Sequence, residues 1–586
     1  MLDTLIKGAK IVDGTGAPAE TGDLGLRDGR IVARGKVDES ARETVDADGL
    51  LATPGWVDVH THYDGQVTWD DLVDPSASQG VTTVVTGNCG VGFAPVEPGG
   101  ERILIELMEG VEDIPGTALY EGMPWGEWES FPDYLDFLER RQWALDVGAQ
   151  LAHGPLRSYV MGQRGRDNEP ANKEDLKRMS QLVEESMRAG ALGFSTSRTI
   201  GHRSMSGEPV PGTFAAEEEL MALADGMKRA GSGVFELIPA STVGELAQLG
   251  GERYTLLEEF ELIKRIGHQC GRPLTFTTVQ IPEFPDTWEA FLAGVTEENA
   301  KGANLRPQVA SRPIGFVTGL QAYHMFQRRE TYMKIADLPL AERVAEMRKP
   351  EVKAAILQDN DVPVAEPGAM ANVHLMLSQV APFLFPITLP IDYEPEPEKM
   401  FMAQASAAGK DVIDYLYDFL LEDGGHTFAI VLGSNYLSGN HDVMHTMLTH
   451  PHTIAGLSDA GAHVNLIFDA VVPTYSLIHW ARDRSRGEKL PLEFVVHKHS
   501  LNNARLYGME DRGSLEVGKR ADLNLIDFEN LRLGALEVHR DLPAGGSRVL
   551  QKARGYAATF VAGTKTRADD EDTGARPGRL VRGGKS

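Results

Sequence analysis

Cysteine is almost absent from this sequence: two residues, Cys89 and Cys270, among 586. So few thiols exclude a disulfide framework and suit a reducing compartment. No Cys-x-x-Cys pair occurs, which removes that route to a metal or redox site. Basic charge is scarce as well. Lys and Arg number 57 against 85 Asp and Glu, a formal net charge of −28. A chain this acidic repels phosphate backbones and anionic lipid, so neither a nucleic acid nor a membrane is expected as partner. No apolar run is long enough to span a bilayer, and residues 1–8 lack the basic-then-apolar layout of a secretory leader. A cytoplasmic location is the expectation. A phosphate-cradling glycine loop and a serine nucleophile elbow are also missing, which leaves phosphoryl transfer and serine-hydrolase chemistry without their usual carriers.

What is present is a long chain of ordinary globular make-up, 42% hydrophobic and 24% charged. That length exceeds one ordinary core, so two or more domains are expected. The organising stretch is residues 53–64, where Trp56, Val57 and Val59 lead into His60 and His62. On a strand, side chains alternate with period two, so both histidines project the same way. Two neutral imidazoles on one face are half a ligand set for a divalent metal. A bare His-x-His is as readily a core or surface pair; the apolar run followed by polar Tyr63-Asp64-Gly65 suits the mouth of a parallel barrel instead.

Residues 3–48 alternate apolar and polar positions with breaks at Asp13-Gly14 and Asp28-Gly29, a hairpin signal. Residues 511–527 and a strand candidate within 549–561 share that texture. The two ends are therefore expected to form one small β-sandwich, from residues 1–53 and 511–586. Between them, further strands are read at 80–90, 148–154, 191–196, 233–238, 273–278, 303–310 and 453–460, with an amphipathic helix at 173–189. Eight such units predict an α/β fold, a (β/α)8 TIM barrel over residues 54–510. A Pro- and aromatic-rich insertion, about residues 312–451, is expected over the barrel mouth, as a lid or as a packing or oligomer contact.

In a barrel, strand-end residues face a common centre. Here these are His60, His62, Asp459, Cys89, Glu236 and His153. Asp459 alone reads as a helix cap or turn residue; opposite two histidines it could ligate a metal or take a proton from its water. Cys89 is a soft thiolate ligand or a small core residue. His153 could polarise a substrate oxygen or bond a backbone carbonyl. The fourth strand ends Phe194-Ser195-Thr196, without a lysine, so a carbamylated-lysine bridge between two metals is not expected.

Taken together, Pro54-Gly55 through His62, Gly80-Val81-Thr82-Thr83 through Cys89-Gly90, His153 with Leu156-Arg157, the run from Gly190 to Ser197, the run from Gly456 to His463, and the run from Gly513 to Asp527 resemble the amidohydrolase superfamily. Within it they are similar to the N-acyl-D-amino-acid deacylases (D-aminoacylases). The resemblance implies a metal-dependent barrel flanked by a β-sandwich, and hydrolysis of a small N-acyl substrate. One or two zinc ions would polarise the amide carbonyl and activate water. It implies His60, His62 and Cys89 as ligands, and Asp459 as the base that later protonates the leaving nitrogen. Two places depart from the family. Its histidines at the ends of strands five and six, and the lysine that grips the substrate carboxylate, are replaced here by Phe235-Glu236-Leu237 and Thr277-Thr278-Val279-Gln280. Either Glu236 substitutes, with one metal among His60, His62 and Asp459, or the metal is weakly held. Arg157, Arg198, His202 and Arg312 are the candidates for the carboxylate. The competing readings are a hydrolase of a cyclic amide, lactone or carbamate, and a non-catalytic barrel serving assembly. Homo-oligomerisation is left open.

Overall fold

A computed structural model describes residues 1–240, 256–282, 284–365 and 370–584. Its central sheet holds eight parallel strands in chain order: Trp56–Asp58, Val81–Thr86, Asp146–Ala152, Gly193–Ser197, Val234–Ile238, Leu274–Thr277, Leu305–Val309 and Ile454–Ala455. Strands two to five are buried at every position, as strands covered on both faces must be, with Val, Leu and Phe interspersed with small or β-branched residues such as Thr82, Thr83, Ser195 and Thr196. The sheet closes where Thr61 bridges Ala460 and the His62 N–H donates to the Ala460 carbonyl at 2.8 Å. Ser458 Oγ secures the seam, donating to Asp58 Oδ2 at 2.6 Å. The chain is a (β/α)8 barrel.

The helices between strands are set by local signals. In Lys173–Ala189, Asn172 and Asp175 form a reciprocal capping box, while Met179, Leu182, Val183 and Met187 bury one face. Two strand ends differ from the sequence expectation. Strand one stops at Asp58, short of its histidines, and strand eight keeps only Ile454–Ala455. Beyond Ala455 the backbone turns left-handed at Leu457 (φ 58°) and Asp459 (φ 46°), which no extended ladder accommodates.

Both chain ends build one nine-stranded sheet. Leu523–Ile526 lies between Leu51–Pro54 and Tyr556–Val561, and Leu2–Ile11 continues outward to Glu20–Arg27 and Arg30–Gly35. The last two strands join through Asp28 (φ 51°) and Gly29 (φ 73°), a pair of left-handed residues that matches the strand twist. This β-sandwich shares a core of Ile6, Leu24, Ile31, Leu525 and Phe560. It docks on the N-terminal ends of the barrel strands: Trp56 Nε1 donates to Tyr556 Oη at 3.1 Å, and Arg512 reaches Asp146 at 2.6 Å.

Between barrel strands seven and eight the chain forms a three-stranded antiparallel sheet, Ile314–Gly319, Phe428–Ser434 and Leu384–Pro386, with helices over a separate apolar cluster that includes Phe326, Leu377, Phe401 and Tyr417. Its ties run to segments that follow the strands' C-terminal ends. The Gln280 N–H donates to Asn435 Oδ1 at 2.7 Å, and Tyr323 Oη donates to Asp113 at 2.8 Å.

Candidate metal centre

At the barrel's C-terminal end four donor atoms converge. His60 Nε2 lies 3.3 Å from Cys89 Sγ and 3.2 Å from Asp459 Oδ1. His62 Nε2 lies 3.9 Å from the same sulfur and 3.8 Å from the same oxygen. Tetrahedral zinc, at its usual bond lengths to nitrogen and sulfur, sets neighbouring donors about 3.3–3.6 Å apart. Two imidazoles, a thiol and a carboxylate at these separations fit a divalent transition metal.

The backbone positions these groups at some strain. Cys89 (φ 57°) and His463 (φ 46°) join Asp459 in the left-handed region, which costs non-glycine residues energy and persists only where the surroundings enforce it. For Asp459 that enforcement is the seam of strands one and eight. Ser458 Oγ donates to the His60 carbonyl at 2.9 Å, so the Asp459 carboxyl and the His60 imidazole are tied through adjacent residues.

An outer ring orients the ligands. His60 Nδ1 is 3.0 Å from Gln308 Oε1; that oxygen only accepts, so the ring proton sits on Nδ1 and the Nε2 lone pair faces the centre. His62 Nδ1 lies 3.3 Å from Glu112 Oε1, and neither of these buried atoms makes a hydrogen bond. Glu112 is also 3.7 Å from His463 Nε2. Glu236 Oε1 sits behind the cluster, 3.8 Å from His60 Nδ1, and accepts from the Cys89 backbone N–H at 3.4 Å.

Charge in this enclosure is uncompensated. Burial, then the carboxylates of Glu112 and Glu236, pushes the Cys89 thiol well up. Burial also lifts Glu112 well above the usual carboxylate range and Glu236 to about 8. For Asp459 burial acts upward too, but His62 and the other neighbouring imidazoles outweigh it and hold the carboxyl well below its ordinary value. Burial lowers His62, His463 to about 4 and His202 to about 3, so their nitrogens keep free lone pairs. A dication at the centre reverses the penalty on the thiol and the acids.

The other sequence candidates lie elsewhere or apart. His153 has both ring nitrogens engaged, by Thr196 Oγ1 at 2.8 Å and Glu219 Oε1 at 2.9 Å. Arg157 donates to the same Glu219 at 2.8 Å, making a closed buried group. Arg198 is bound to Glu259 at 2.7 Å. His202 is held by Ser197 Oγ at 2.9 Å and is influenced electrostatically by His463 and His62. Arg312 is ion-paired with Asp469 and lies over the Phe468 ring at 4.3 Å, with buried Nε and Nη1 making no hydrogen bond. Phe468, Asp469 and Asp459 line one small cavity. Sequence reasoning did not single out Glu112, Gln308 or His463. Glu112 ends an amphipathic helix, Glu101–Glu112, with nothing local to mark it; His463 follows Asp459 by four residues within an already noted motif.

The sequence model of the amidohydrolase family matches residues 43–565. A D-aminoacylase of Alcaligenes xylosoxydans xylosoxydans is 37% identical over 195 residues; the matched stretch is 33% of this chain and only 37% of that protein. Among solved structures, a D-aminoacylase described with a binuclear metal centre superposes with a TM-score of 0.64 at 22% identity, over 99% of this chain and 100% of the other. The N-acyl-D-glutamate deacylase of Bordetella bronchiseptica, complexed with zinc and a phosphonate mimic of the tetrahedral intermediate, gives 0.62 at 23% identity, over 99% of each chain. At such identities the superpositions speak for the fold.

Proposed function

This chain belongs to the amidohydrolase family, and from that premise we propose that it is a metal-dependent hydrolase of C–N bonds whose substrate is a linear N-acyl compound, an N-acyl-D-amino acid first among them. The observation that carries the reading is the convergence of His60, His62, Cys89 and Asp459 on one point. A divalent cation held there, zinc by the donor chemistry, supplies Lewis-acid polarisation of the amide carbonyl and lowers the pKa of water. Asp459, its Oδ1 set 3.2 Å from His60 Nε2 at the same point, takes the proton from the attacking water and returns it to the leaving nitrogen. Gln308 holds the His60 imidazole in orientation, and the Glu112 carboxyl lies 3.3 Å from His62 Nδ1. Arg312 is the group proposed for the substrate carboxylate, because two of its nitrogens are buried without hydrogen-bond partners. The relatives' names supply the acyl-amino-acid class. Glu236 and Thr277-Thr278, standing where the resemblance leads one to expect histidines, support the second reading, a cyclic amide, lactone or carbamate.

A hydrolysis screen of N-acyl-D- and N-acyl-L-amino acids against cyclic imides and lactones, on zinc-loaded protein, separates the two. Turnover confined to the cyclic substrates would replace the first reading with the second. Asp459→Asn is expected to lower kcat by a factor of about a thousand or more while metal content falls far less. Undiminished turnover in that variant would remove Asp459 from the proton-transfer role.

A further inference from the structure

A second cluster of metal-type donors lies outside the barrel centre. Glu394 and His441 come from the segment between barrel strands seven and eight, and His479 from the π-helical turn Leu477–Asp483 after strand eight. His441 Nδ1 is 2.9 Å from His479 Nε2 and 3.8 Å from Glu394 Oε2, and His479 Nε2 is 3.6 Å from that oxygen. These edges bracket the roughly 3.4 Å expected between nitrogen or oxygen donors around tetrahedral zinc.

The protonation pattern supports the geometry. His441 Nε2 lies 2.8 Å from the Tyr393 carbonyl, which only accepts, so the ring proton is on Nε2 and the Nδ1 lone pair faces Glu394 and His479. Metal-bound imidazoles are oriented by this kind of outer hydrogen bond. Glu394 is fixed in turn: Oε1 accepts from the His441 backbone N–H at 2.8 Å, and Oε1 and Oε2 each accept from Arg484 at 3.3 Å. A plain hydrogen bond from His479 to His441 accounts for the 2.9 Å contact. Arg484 and the His441 N–H place the carboxylate, and a cation seated among the three donors would engage the Glu394 oxygen and the imidazole lone pairs together. His441 and Glu394 are buried, whereas His479 is partly exposed and lines a cavity of about 580 Å3 beside Tyr475. Tyr475 stacks on the His479 ring at 5.0 Å, and its hydroxyl is 3.4 Å from His441 Nδ1.

We propose that Glu394, His441 and His479 bind a second divalent transition-metal ion of the zinc class, with the remaining coordination position turned to the cavity or to the Tyr475 hydroxyl. Two of its ligands belong to the insertion and one to the segment beyond strand eight, so the ion fastens these two parts of the chain together. Two histidines and one carboxylate are a donor set that such cations favour.

The full-length protein, stripped by chelator, is titrated with Zn2+ alone and its bound metal counted, alongside His479→Gln, Glu394→Gln and Cys89→Ser. The expected result is one fewer equivalent in His479→Gln and Glu394→Gln, with the barrel-centre metal retained. Cys89→Ser is expected to keep the Glu394–His441–His479 ion, so loss of the hydrolase reading would leave this one standing. Should the variants fold poorly, zinc-edge anomalous diffraction on crystals of the wild-type protein decides, with a peak inside the triad expected. Equal stoichiometry in wild type and His479→Gln, or an anomalous map with density at the barrel centre and none at the triad, would reduce the cluster to a hydrogen-bonded histidine pair.

Discussion

At the scale of single residues the account turns on which polar atoms are left wanting. Arg312 is buried with two nitrogens lacking hydrogen bonds, a condition that interiors rarely tolerate without a ligand or a water. A substrate carboxylate would satisfy them. Hydrogen bonds to charged groups contribute about 1.5–3 kcal/mol, so Arg312→Lys is expected to raise KM for an N-acyl amino acid by about 10–100-fold. The KM for an uncharged amide would stay within a few-fold; equal losses on both would mean a structural role for the guanidinium. His60, His62, Cys89 and Asp459 could be named from the chain because each follows a strand-like apolar run at a strand end. Glu112 could not. An acid that closes an amphipathic helix looks like a solvated one until the tertiary structure buries it against His62 and His463.

Elements position these residues through a few polar ties. Asn435 (φ 67°) joins the insertion to the end of strand six by accepting from the Gln280 N–H and donating its own N–H to the Gln280 carbonyl at 3.0 Å. Asn435→Ala leaves a buried N–H unpaired and puts alanine in a left-handed conformation, so a loss of about 1–3 kcal/mol is expected in denaturant unfolding. A change below about 0.5 kcal/mol would show that the contact is not holding the insertion. The barrel strands were legible as short runs of mostly β-branched, apolar and small residues that alternate with helical segments, the texture of strands buried on both faces. Strand eight was over-read: the 453–460 run is apolar enough for a strand, but the left-handed turns at Leu457 and Asp459 are imposed by the seam to strand one, a long-range contact that no local pattern encodes. The insertion's internal three-stranded sheet was equally unmarked, since its pairings are long-range: Gly319 meets Phe428, and Leu384 meets Val431.

For the molecule as a whole, buried charge gives a pH signature independent of the metal. Lys498 is buried, donates to the Thr453 carbonyl at 2.6 Å, and is pushed by burial down to about 7. Its folded pKa lies below the unfolded value of about 10.4, so unfolding takes up a proton between those limits and stability rises with pH across that window, by up to about 1.4 kcal/mol per unit. Lys498→Met is expected to remove that slope between about pH 7 and 10 in pH-resolved unfolding. An unchanged slope would mean that the amine stays charged in the fold. The acidic surface bears on partners and not on chemistry, and among the described residues no helix is long and apolar enough to cross a membrane.

The most direct test of the hydrolase account is zinc-edge anomalous diffraction from the purified enzyme, paired with N-acyl-D-amino-acid hydrolysis assayed before and after chelation. The account predicts an ion within bonding distance of His60 Nε2 and His62 Nε2, with Cys89 or Asp459 completing its ligands, and activity that vanishes on stripping and returns with Zn2+. An empty barrel centre in a protein that hydrolyses at full rate would contradict it.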